Sequence, residues 1–268
     1  MMRSMIGTTL RQKRIAIIAY SVAGLAMIGM YIAIYPMLQA QADSLNQVVK
    51  SLPPALLKAF GSDNLGMANF EGLAGIKHYG FVWPLMAAFL AVSFGGAVLA
   101  GEIEKGTMGL WLAAPVSRAK IYWAKYWAGT LAMLGFTLIT ITAVIPLAGL
   151  AHVALSAADF LRLSVSGGLF GLAILSITMF ISSLVSEKGR VYAVLSAVLL
   201  VMYVANVIAE ISDQFSALKY VSFFHYLAPE LILRGTAIDP WAYVVFGSVI
   251  VAGAILGALT FQRRDIAV

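Results

Sequence analysis

Apolar residues fall in six long runs along this chain, and polar residues gather in the short stretches between them. The runs cover approximately Ile15–Leu38, Tyr79–Ala100, Ala128–Ala151, Leu163–Val185, Val191–Ala209 and Trp241–Phe261. Each is close to the roughly 20 residues that carry a helix across about 30 Å of hydrocarbon. A spanning strand would show about 10 residues of alternating character instead. The runs are continuous, so the pattern predicts an all-α membrane protein with six transmembrane helices. A helix suits that setting because it satisfies its backbone polar groups within one segment.

The first run follows Arg11, Lys13 and Arg14 and is followed by Ala40-Gln-Ala42, which resembles a cleavage site. It is longer than the roughly 7–15-residue apolar core of a signal peptide, so a retained first helix is expected. No repeat, low-complexity tract or separate soluble domain interrupts the pattern. Residues 1–268 read as a single six-helix transmembrane domain.

Composition agrees. The chain is 61% hydrophobic and 11% charged, where a soluble domain carries about 25% charged residues. Its net charge of +6 could suggest nucleic acid. The basic residues cluster at loop ends rather than on one face, so no nucleic-acid partner is expected. The absence of cysteine excludes disulfides, thiolate metal sites and cysteine nucleophiles. His78, His152 and His225 are far apart in sequence and read as interfacial or loop residues rather than a metal site.

Charge distribution orients the helices. With the N-terminus inside, 12 of the 18 lysines and arginines fall on inner segments, and only six (Lys50, Lys58, Lys77, Arg162, Lys219, Arg234) on outer ones. That bias is the positive-inside signature. It places both termini and the Gly101–Lys125 loop in the cytoplasm, and the protein in the cytoplasmic membrane.

That loop stands out. It carries Glu102, Glu104, Lys105, Arg118, Lys120 and Lys125 between two apolar runs. Its chemistry predicts a short helix along the membrane surface. Glu102 and Glu104 would sit at the positive end of its dipole. Ile103, Leu110, Trp111 and Ala114 would form one apolar face. Pro115 would end the helix, and Ser117 would cap the next one from Arg118. On composition alone the segment is equally an ordinary solvated loop.

The pattern Glu102-x-Glu104-x-Gly106-Thr107, then Leu110 and Leu112, then Pro115, Ser117, Arg118 and Lys125, resembles the first cytoplasmic loop of ABC-2-type permeases. These are the membrane subunits of one class of ATP-binding-cassette exporter. The tail Phe261–Ile266 is similar to that family's ending. The resemblance implies a cytoplasmic coupling helix between the second and third spans that docks on a separate ATPase subunit. Its contact residues would be Glu102, Glu104, Gly106, Thr107, Leu110, Trp111, Pro115 and Arg118. Trp111 stands where many relatives have leucine, which bears on the shape of the partner's groove. The resemblance also implies two ATPase copies, a second permease subunit (identical or a close paralogue), and outward transport.

What is missing narrows the chemistry. There is no Gly-x-x-x-x-Gly-Lys-Ser/Thr phosphate loop, so ATPase activity would belong to a partner chain that holds ATP and magnesium. This chain is expected to hold no cofactor or metal and to be no enzyme by itself. The six runs contain no Asp, Glu, Lys, Arg or His. Ion-coupled transporters place such groups at membrane depth, so a secondary transporter ranks below a permease. A non-transporting scaffold or signalling protein explains the apolar runs equally well, but gives the Glu102–Arg118 pattern no purpose. Two semi-apolar outer segments, a short helix over Ser51–Gly61 and a re-entrant or interfacial stretch over Val221–Leu227, lie next to the membrane. They favour an amphiphilic cargo, a lipid-like molecule or hydrophobic antibiotic.

Overall fold

The computed structural model describes residues 2–41 and 69–265. The expected helix over Ser51–Gly61 lies outside these residues. Six helices are long and apolar enough to cross a membrane: Met2–Ala40, Phe70–Val98, Arg118–Leu150, Ala157–Leu184, Lys188–Ile211 and Pro240–Arg263. No strand occurs among the described residues.

We number the helices α1 (Met2–Ala40), α2 (Phe70–Leu73), α3 (Trp83–Val98), α4 (Ala100–Glu104), α5 (Met108–Leu112), α6 (Arg118–Thr142), α7 (Val144–Leu150), α8 (Ala157–Leu184), α9 (Lys188–Ile211), α10 (Phe223–Leu227), α11 (Pro229–Leu233) and α12 (Pro240–Arg263). A π-helical segment, Ala74–Val82, joins α2 to α3, and a 3₁₀ segment, Asp213–Val221, joins α9 to α10.

Helix α8 is the central post. It packs against α12, α3 and α6, while α1 packs on α6 and α3. Small residues make this possible, because in lipid close backbone approach replaces the hydrophobic drive. A Cβ added at Gly253 would meet the Ser176 carbonyl carbon at 2.8 Å, and one at Gly167 the Trp83 ring at 2.7 Å. Hydroxyls satisfy one another across the same seams. Trp83 Nε1 donates to Thr140 Oγ1 at 2.7 Å, and Tyr126 and Ser176 share a bond of 2.8 Å.

Burial separates the helices. The most apolar windows of Phe70–Val98 and Ala157–Leu184 are each 61% buried, against 22% for α1 and 17% for α9. The flanks formed by α1 and α9 therefore face outward from the bundle.

Two expectations need correction. The helices outrun their apolar cores, because backbone hydrogen bonding does not stop where side chains become polar. As a result Lys13, Lys77, Lys125, Arg162 and Glu210 all lie within the spanning helices. His78, expected in a loop or at an interface, is fully buried in the π-helical segment of the second span. It packs between Tyr31 and Tyr79, with ring centroids 5.5 and 4.7 Å away. The stretch around Val221–Leu227 folds as α10 and is tucked into the bundle. Phe223 and Phe224 are buried, at 5.8 Å from Phe246 and 5.6 Å from Phe170 respectively.

Candidate functional site

Chain direction alternates along the bundle. The Gly101–Ser117 loop, the α8–α9 turn and the end of α12 therefore share one end of it. The loop does not form one helix. Leu99 offsets α4 from α3, and α4 stops after Glu104. Gly106 then takes φ of 71°, a left-handed conformation in which an L side chain is strained. Its N–H closes the turn on the Ile103 carbonyl at 2.9 Å, as a glycine does just beyond a helix end. The expected surface helix is thus two short ones, α4 and α5, set at an angle by one glycine. Glu102 does lie in the first turn of its helix. The expected apolar face is split: Ile103 and Trp111 turn inward, whereas Leu110 is 78% exposed and Met108 takes the buried position. Ser117 caps α6 as expected, accepting from the Lys120 N–H at 3.3 Å.

Glu102 has a basic partner inside the bundle. Glu102 turns into the bundle, and its Oε1 accepts from Lys125 Nζ on α6 at 2.6 Å, with Lys125 only 1% exposed. Trp111 closes over this pair, with its ring centroid 5.0 Å from Lys125 Nζ. Its bulk covers a buried cation, an interaction that a leucine could not make. Lys13 of α1 lies within electrostatic reach of both Glu102 and Lys125.

Glu104 reaches the other way. Its Oε2 accepts from the backbone N–H of Lys188 at 3.1 Å. Lys188 opens α9, whose own cap residue, Glu187, makes no side-chain capping bond. A carboxylate there satisfies an orphan donor at the positive end of the helix dipole. Ser182 Oγ of α8 accepts from the Ala100 N–H at 3.0 Å. Arg118, at the start of α6, donates to the Arg264 carbonyl. Arg264 in turn donates to the carbonyls of Ser183 and Val185, at 3.1 and 2.8 Å, and to the Ser186 hydroxyl. The loop, the α8–α9 turn and the chain's last described residues thus form one hydrogen-bonded ring.

A family model described as ABC-2 family transporter protein matches residues 6–266. The chain belongs to the ABC-2 transporter family. None of the curated proteins compared with it matches. ABC-2 permeases are membrane transport components that associate with an ATP-binding subunit. In this ABC-2 chain, the residues expected to meet that subunit sort by position. Glu104, Gly106, Thr107, Leu110 and Pro115 are exposed, Trp111 and Arg118 are half-buried, and Glu102 is buried. Sequence reasoning missed the roles of Lys125, Ser182 and Arg264. Their partners lie 23, 82 and up to 146 residues away along the chain, and no spacing rule reaches that far.

Proposed function

We propose that this chain is the permease subunit of an ATP-driven exporter, and that an ATPase subunit carrying ATP and magnesium docks on the Gly101–Ser117 loop. The observation behind this reading is the split of the loop into an outward and an inward side. Glu104, Gly106, Thr107 and Leu110 face out, and Leu110 offers an apolar side chain to a partner's groove. Behind them, Glu102 and Ser182 tie the loop to the spanning helices. A push on the outer side therefore passes into α6, α8 and α9 rather than being absorbed by a soft loop. The exposed flanks of α1 and α9 suit a second permease subunit and lipid. Cargo is amphiphilic and leaves outward, with the loop end in the cytoplasm.

Leu110→Glu tests docking. The side chain is exposed, so the six spans should insert normally while co-purification of the ATPase subunit is lost. Gly106→Pro should do the same, because proline cannot adopt φ of 71°. Full ATPase association and full transport in both variants would refute the reading. Topology is tested in the cysteine-free background. Ser117→Cys should react with an impermeant thiol reagent only once the inner face is opened, and Thr236→Cys at the opposite end should react from outside. Ser44, another outer position, lies outside the described residues.

A further inference from the structure

At the end of the bundle opposite the loop lies a cavity of about 1240 Å³, walled by α1, the π-helical segment, the end of α9, α10, α11 and the link to α12. It is slightly larger than the roughly 300–1,000 Å³ of a typical small-molecule site. Its walls are aromatic: Phe81 lies 5.9 Å from Tyr203, and Tyr203 lies 5.3 Å from Phe224, ring to ring. Tyr31 and Tyr226 also line it.

Two polar side chains stand among these rings, one helical turn apart on α9. Asn206 Nδ2 donates to Glu210 Oε1 at 2.7 Å. That bond uses one N–H of the amide and leaves its oxygen, which is buried and has no donor among the described residues. Asn206 is itself nine-tenths buried, where an unmade hydrogen bond is costly. Glu210 is an exposed residue and lines the cavity wall. What the pair lacks is a donor, and beside a carboxylate the stronger donor is a cationic one.

The other wall carboxylates are already engaged: Glu230 is ion-paired with Arg234, and Asp239 accepts from the Trp241 N–H. His225 adds no counter-charge at neutral pH, because burial and Lys219 push it below the usual imidazole range, against the pull of Asp239.

We propose that this cavity is a binding site for a protonated organic amine, with its N–H groups on Glu210 and the Asn206 carbonyl and its apolar body against Phe81, Tyr203 and Phe224. Aromatic faces attract such cations, and charge-assisted hydrogen bonds are the stronger kind. A quaternary ammonium would satisfy the charge but not the Asn206 carbonyl. This rests on the exporter reading and names the head group of its amphiphilic cargo.

The test uses the full-length permease alone in lipid nanodiscs, with empty nanodiscs as background. Three probes share one apolar body: naphthylethylamine, its trimethylammonium derivative, and naphthylacetate. The amine should bind about tenfold more tightly than the trimethylammonium compound, the factor expected for about 1.4 kcal/mol, and naphthylacetate should not bind. Glu210→Gln should weaken amine binding about tenfold. Asn206→Leu should narrow the gap between the two cations, leaving the part that the N–H bond to Glu210 supplies. If Asn206→Leu fails to fold, the exposed Glu210→Gln decides alone. Equal binding of naphthylacetate, no binding of the amine, or amine binding indifferent to Glu210→Gln overturns the proposal. Because no ATPase is present, such a result leaves loop docking intact. Conversely, loss of docking with amine binding retained overturns only the coupling reading.

Discussion

The two ends of the bundle use their carboxylates differently. At the loop end the bonds cross between elements: Glu102 of α4 holds Lys125 of α6, and Glu104 holds the first N–H of α9. Around the cavity the bonds of two carboxylates, Glu210 and Asp239, stay local. Glu210 is bonded by Asn206 on the same helix, and Asp239 caps its own helix through the Trp241 N–H at 2.9 Å. A pair four residues apart on one helix adds about 0.2–0.5 kcal/mol and holds nothing but that helix. A bond between elements fixes their relative position. The loop end is therefore built to move as one piece, and the cavity wall to be completed by something else. On this end, Glu71 does cross, accepting from the Ser156 N–H at 2.6 Å, but it is not part of the cavity lining.

Breaking the loop-end pair should have the largest effect. Lys125→Met leaves Glu102 buried without its counter-charge, which costs about 3–5 kcal/mol. Thermal unfolding of the detergent-solubilised protein should show a large drop. Adding Glu102→Leu should recover most of it, since a well-packed apolar pair is often as stable as a buried ion pair. The recovered variant sharpens the comparison. If Glu102 and Lys125 serve only stability, it should couple ATP hydrolysis to transport normally. If they hold the loop to α6, it should remain stable but transport poorly.

The next effect belongs to the seam both ends share. Gly253→Val drives a side chain into the Ser176 backbone, 2.8 Å from where its Cβ would lie. Overpacking of this kind costs about 1–3 kcal/mol. Unlike the first variant, it should lower amine binding and ATPase docking together, because α8 and α12 support both ends.

Gly106→Ala ranks third. Forcing an L side chain into the left-handed region costs about 1–2 kcal/mol. Nothing lies within 4 Å of the added Cβ, so the strain is conformational rather than steric contact. Docking should weaken while the cavity end is unchanged. Gly106→Asn should be milder, since asparagine tolerates this conformation better.

These residues also show what could be read from the chain. The six spans were legible because a run of about 20 apolar residues has few other solutions. Ser117 was legible as a cap because it directly precedes Arg118 and follows Pro115, all local signals. Gly106 was visible as a residue but not as a break, since a glycine inside a helical pattern is often tolerated. In the sequence Lys125 stands as a charge at a loop edge. Its burial depends on Glu102 and Trp111 closing over it from the loop, which no local pattern encodes. The π-helical turn that buries His78 and the cavity beside Asn206 likewise depend on how distant helices pack.

The smallest expected change in stability is at the cavity, and it is the sharpest check on the comparison. Glu210→Gln removes a charge from an exposed side chain whose bonded partner is four residues away on the same helix. The glutamine carbonyl can still accept from Asn206 Nδ2, so the local bond survives in neutral form. Exposed substitutions of this type stay within about 0.5 kcal/mol, and thermal unfolding of the empty protein should scarcely move. Glu102→Gln is the matched change at the other end. There the amide faces Lys125, a fully buried ammonium that needs a counter-charge, so the same exchange should destabilise clearly. Equal losses of stability at the two positions would show that Glu210, like Glu102, holds the fold together, and would end the distinction between the two ends.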